Sequence, residues 1–124
     1  MAIRKNLEGS SGGLAHAASR ALLNDTANLL TAAGTTQATA FLMTQANNVF
    51  TTVAAGSGAL LNYVSDNGDE YQVDNLGANA LLVYPPLGAQ IGLNGTNNAV
   101  TIASGKRGTF KRISLTQWVN SLSA

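Results

Sequence analysis

Residues 68–118 read GDEYQVDNLGANALLVYPPLGAQIGLNGTNNAVTIASGKRGTFKRISLTQW. Short apolar bursts are cut at regular intervals by glycine and asparagine, the spacing of turn signals that a small all-β domain requires. Glu70, Gln72 and Asp74 alternate with Tyr71 and Val73, which predicts a strand with one face in water and one on a core. Residues 80–84 (ALLVY) are apolar at every position. A strand apolar on both faces needs cover twice, once in its own core and once against a second layer. In a chain this small, that second layer reads as another subunit. Pro85 and Pro86 end the strand, because proline donates no ladder hydrogen bond.

Further along, residues 87–95 predict a short strand with Ile91 and Leu93 on one side, and residues 99–103 another with Val100 and Ile102 inward. Residues 109–115 and 116–120 supply the last two strands. Phe110 and Ile113 have opposite parity, so either a bulge separates them or both faces of their strand are covered.

Upstream, residues 38–44, 49–54 and 59–64 interleave threonine with apolar residues, as a pleated surface with one wet side does. Asp66-Asn67-Gly68-Asp69 is a strong turn signal between them and the alternating strand. The expectation is a mainly β body over residues 35–124: a small antiparallel β-sandwich or barrel, jelly-roll-like, of seven to nine short strands.

Residues 1–34 read as an arm attached to that body. Residues 9–13 (GSSGG) have linker composition. Over residues 14–30, Leu14, Ala17, Ala18, Ala21 and Leu22 follow helical spacing and predict a short helix. The alternative is an extended arm that orders against a neighbour.

Composition narrows the function classes. Only 10% of the 124 residues are charged, against roughly 25% in typical soluble domains. Serine, threonine, asparagine and glutamine supply the polar surface. A net charge of +1 creates no global field towards nucleic acid or membranes. The absence of cysteine removes disulfides, thiolate metal sites and cysteine nucleophiles together. A small β domain without disulfides finds stability elsewhere, usually by oligomerising.

No residue pattern carries catalysis or a cofactor, and the expectation is a protein that is not an enzyme. His16 lacks the supporting context of a Ser-His-Asp triad. Asp66, Asp69, Glu70 and Asp74 place oxygen ligands near a glycine but lack calcium-loop spacing. Lys106, Arg107, Lys111 and Arg112 lack the interleaved aromatics of a nucleic-acid face. Pairing with the central acidic group across a subunit interface is as good a reading of the basic run as a nucleic-acid patch, and solvated hairpin lysines and arginines are the leading reading of each. Trp118, Tyr63, Tyr71, Tyr84 and Phe110 suit a core better than a sugar platform.

Residues 35–40 (TTQATA), 51–58 (TTVAAGSG), 68–95 and 99–114 resemble small virion proteins of tailed bacteriophages and prophages, of the head-fibre or capsid-decoration type. The resemblance covers most of the chain and rests on a pattern of turns and strands. It implies a homotrimer of β-rich domains, assembled in the host cytoplasm and residing in the virion. It also implies an amino-terminal arm that attaches to the major capsid protein or another virion protein.

On this reading Leu81, Leu82, Val83, Tyr84, Phe110, Ile113 and Trp118 form the core and oligomer interface. Ile3, Arg4, Lys5, Leu7, Leu14, Arg20, Leu22, Leu23, Leu29 and Leu30 anchor the arm. A rival expectation is a carbohydrate-binding module at a tail or fibre tip that adheres to a host-surface glycan.

Overall fold

The chain alternates between two sheets as it advances. The computed structural model describes residues 26–124. Thr26–Thr31 (β1) lies in the first sheet, Phe41–Leu42 (β2) in the second, Asn47–Thr52 (β3) in the first, and Gly58–Leu60 (β4) in the second. Glu70–Asn75 (β5) returns to the first and Leu81–Tyr84 (β6) to the second. Within each sheet these strands are parallel: β1 to β3 to β5 on one side, β2 to β4 to β6 on the other. The result is three stacked coils, each taking roughly 20–25 residues, the scale of a solenoid repeat.

The remaining strands are Gln90–Ile91 (β7), Val100–Ile102 (β8), Arg107–Ser114 (β9) and Gln117–Leu122 (β10). They finish the stack with reversed polarity. β8 runs antiparallel to β6, and β9 antiparallel to β5. β10 folds back on β9 and pairs parallel with β7. The six-stranded sheet has the order β1-β3-β5-β9-β10-β7, and the four-stranded sheet β2-β4-β6-β8.

The mainly β expectation holds, but the stacking is solenoid-like rather than that of an antiparallel sandwich or jelly roll. The physical reason is that turn residues specify local φ and ψ, not which strand the chain pairs with next. Between β4 and β5, the turn at Asp66–Asp69 carries the chain across the core to the opposite sheet, where a hairpin was the expectation.

One core runs between the sheets. Phe50, Val73 and Phe110 enter it from the first sheet, and Ala59, Leu81, Val83 and Ile102 from the second. β5 alternates as expected: Tyr71, Val73 and Asn75 are buried, while Glu70 is exposed and Gln72 and Asp74 are half-buried. Phe110 is fully buried, and Ile113 lies on the opposite face, 47% exposed. β9 keeps strict alternation between them, and the irregularity falls on β10 between Gln117 and Trp118.

Two further expectations change. The helix over residues 14–30 does not extend through Thr26–Thr31, which is β1; the rest of that span lies outside the described residues. Leu93 does not join Ile91 in the core. β7 ends at Ile91, because Gly92 adopts the left-handed φ of +59° and turns the chain, leaving Leu93 almost fully exposed.

At Gly58 two coils approach closely. A Cβ there would lie 2.6 Å from the backbone oxygen of Leu82 and 2.8 Å from the ring of Tyr84. Gly58→Ala will therefore push β4 away from β6 and lower stability by about 1–3 kcal/mol. A fall in the urea midpoint with unchanged slope checks this; an unchanged midpoint contradicts it.

A buried asparagine and its exposed neighbour tie the coils to the finishing strands. Fully buried Asn75 donates from Nδ2 to the carbonyls of Asn79 and Ile102, each at 2.9 Å. Its Oδ1 accepts from the Gly77 amide at 3.0 Å. Asn79 in turn donates to the carbonyl of Val53 at 2.8 Å. This network joins β5, the chain entering β6, and β8, and so links one sheet to the other.

Candidate interaction surface

Alternation along β4 and β6 sends some side chains into the core and others outward. Ala59, Leu81 and Val83 face inward and are fully buried. On the outer face, Leu42, Leu60 and Tyr84 stand in register across β2, β4 and β6, with Leu82 one row over. Leu42 is exposed, and Leu60, Leu82 and Tyr84 are half-buried. The outward row of this sheet is thus apolar where a solvated face would be polar. Residues 80–84 meet their first layer of cover inside the chain, through Leu81 and Val83 alone.

Beside this row is an open cleft of about 460 Å³. It forms where the chain leaves β4, where it leaves β6 at the Pro85-Pro86 stop, and where β9 turns into β10. Its apolar lining includes Leu60, Tyr63, Pro86, Leu87, Leu115 and Trp118. Leu87 is 84% exposed, Leu115 72% and Tyr63 71%, so the rim is apolar and wet. Trp118 is wholly buried behind it, its ring 5.7 Å from that of Tyr71. The Tyr71 hydroxyl is hydrogen-bonded to Ser65 Oγ at 2.7 Å. The indole Nε1 of Trp118 is buried with no acceptor among the described residues.

Arg112 is the one charged side chain of the lining. Two residues beyond Phe110 on β9, it shares that residue's inward parity and stands opposite Trp118 in the β9–β10 register. Here the inward face borders the open cleft, so Arg112 is half-buried where Trp118 opposite is fully buried. Its Nε donates to the Ser114 carbonyl at 3.2 Å.

The other expected site residues sort as follows. Leu81, Val83, Phe110 and Trp118 are core side chains of the single chain, while Leu82, Tyr84 and Ile113 point outward. Among the anchoring residues, Leu30 packs against the core from β1 and Leu29 is exposed with a φ of +57°. Ile3, Arg4, Lys5, Leu7, Leu14, Arg20, Leu22 and Leu23 lie outside the described residues.

Among the described residues, one pair of oppositely charged side chains forms an ion pair. Arg107 Nε donates to Asp74 Oδ1 at 2.5 Å across β5 and β9, and this bond with its attraction raises the pKa of the guanidinium. The Asp66 amide donates to Asp69 Oδ2 at 2.8 Å, which closes that acidic loop on itself. The loop is also tied to β9, where the Gly68 amide donates to the Arg112 carbonyl and the Arg112 amide to the Asp69 carbonyl. Among the described residues no three His, Cys, Asp or Glu side chains are grouped to hold a metal ion. Nor is any described helix long and apolar enough to cross a membrane.

The apolar run at residues 80–84 made Leu82 and Tyr84 legible from sequence, while Leu42 and Leu60 join them only through the register of β2, β4 and β6. Arg112 was legible only as part of a basic run, because its inward parity depends on the register of β9. No protein-family model matches this chain, and a search of the curated proteins finds no match.

Proposed function

We propose that this chain is a non-enzymatic structural protein of a bacteriophage particle, a head fibre or capsid-decoration subunit. Its β body associates as a homotrimer, and the segment preceding β1 attaches it to the major capsid protein or another virion protein. The observation that carries the reading is the outward apolar row Leu42, Leu60, Tyr84 and Leu82, a sheet face that contact with other copies would remove from water. Low charge and the resemblance of residues 35–118 to small virion proteins support the same role.

Sedimentation tests it. The full chain should sediment as a trimer, and the Leu42→Glu/Leu60→Glu double variant as a monomer with unchanged circular dichroism, since both side chains point away from the core. A chain shortened to begin at Thr26 should keep its β spectrum but fail to pellet with particles stripped of the protein. A monomeric full chain, or undiminished pelleting of the shortened one, would overturn the corresponding half of the proposal.

A further inference from the structure

The cleft between the β4 exit, the β6 exit and the β9–β10 turn combines an apolar lining with an under-used cation. Arg112 spends its Nε on the Ser114 carbonyl, and its terminal guanidinium nitrogens meet no acceptor among the described residues. Its neighbours across the cleft, Leu60, Tyr63, Leu87 and Leu115, offer no compensating carboxylate. The nearest acidic loop, Asp66–Asp69, turns its Asp69 carboxylate back on its own backbone. A guanidinium on an apolar wall is worth most to a ligand whose carboxylate forms charge-assisted bonds while its apolar part displaces water.

We infer that this cleft is a binding site for an apolar peptide segment carrying a carboxylate, supplied by another protein. The apolar side chains of that segment lie against Leu87, Leu115 and Tyr63, and its carboxylate pairs with Arg112. The volume of about 460 Å³ is within the span of small-ligand pockets and holds a few aliphatic side chains. Leu87, Leu115 and Tyr63 remain largely exposed at the rim, which makes the cleft an open groove. A peptide backbone can lie across an open groove; a fatty-acid tail demands enclosure. The cleft shares Leu60 with the outward row proposed for self-association, but Leu87, Leu115, Tyr63 and Arg112, which carry this inference, lie outside that row.

Trp118 supplies the readout, because it lines the cleft and is the single tryptophan of the sequence. Acetyl-Leu-Leu-Glu-amide titrated into the full-length protein should shift the emission of Trp118 saturably. Acetyl-Leu-Leu-Gln-amide, alike in shape but uncharged, should bind about fivefold or more weakly. Arg112→Gln should bind both peptides equally, and Leu87→Ser, at an exposed rim position that folding does not need, should weaken both. Equal binding of the two peptides by the unaltered protein, no saturable shift at millimolar peptide, or undiminished binding by Leu87→Ser would each overturn the inference. So would tighter binding of decanoate than of the glutamate peptide, which would assign the groove to a free lipid acid.

Discussion

Replacing Asn75 with alanine should remove about 4 kcal/mol of stability, the sum of two or three orphaned hydrogen-bonding groups at roughly 1–3 kcal/mol each. The side chain is fully buried and makes three bonds, accepting from Gly77 and donating to Asn79 and Ile102. Alanine leaves the buried Gly77 amide without its side-chain acceptor and takes a donor from the Ile102 carbonyl, while the carbonyl of exposed Asn79 recovers its loss from water. A domain of this size holds about 5–15 kcal/mol in total, so the variant should sit near its unfolding threshold. Asn75→Asp provides the contrast. It keeps an acceptor for Gly77 but loses both donors and buries a charge, so it should be no more stable than the alanine variant at neutral pH. Urea unfolding measures both, and a loss under about 1 kcal/mol for Asn75→Ala would show that the network contributes little.

Phe110→Ala should cost about 3–5 kcal/mol, the usual range for truncating a buried phenylalanine. Phe110 has no exposure and stands opposite Tyr71 on one side and Asn120 on the other, at the centre of the antiparallel part of the first sheet. Surrounding strands are held by ladders on both flanks and have little freedom to collapse into the cavity. Ile113→Ala, three residues along and on the other face, should cost less than about 1 kcal/mol in the dilute protein, because nearly half of its surface already meets water. Unfolding at low protein concentration separates the two variants. Equal losses would mean that the outer face of β9 is covered even there.

The contrast between Phe110 and Ile113 also shows how far local pattern carries. Opposite parity was plain from spacing, and it follows from the two-residue period of a strand. Whether the exposed partner is covered is not a local property. Likewise, alternation in residues 70–75 set which side chains of β5 enter the core, and Pro85-Pro86 set where β6 stops. The structural role of Asn75 was invisible, since an asparagine before Leu-Gly reads as an ordinary turn residue until Ile102 is brought beside it. Arg112 shows the same limit. Beside Lys111 it reads as solvated charge, and only the register of β9 against β10 puts one of the two on the inner side.

By itself, the amino-acid sequence determined that residues 35–124 form short strands with frequent turns, and where apolar side chains alternate along them; that residues 26–31 join the first sheet as β1 came only with the structure. Both properties depend on neighbours a few positions apart: side-chain alternation, proline's missing donor, and glycine's access to positive φ. Only the tertiary structure decided that the first six strands pair in parallel coils across two sheets, and that the last strands close the stack in the reverse sense. Pairing joins residues twenty or more apart, and a turn that leads into a hairpin can equally carry the chain over the core. That choice is made by the total burial it achieves, and with it came the cleft, its arginine and the apolar outer row.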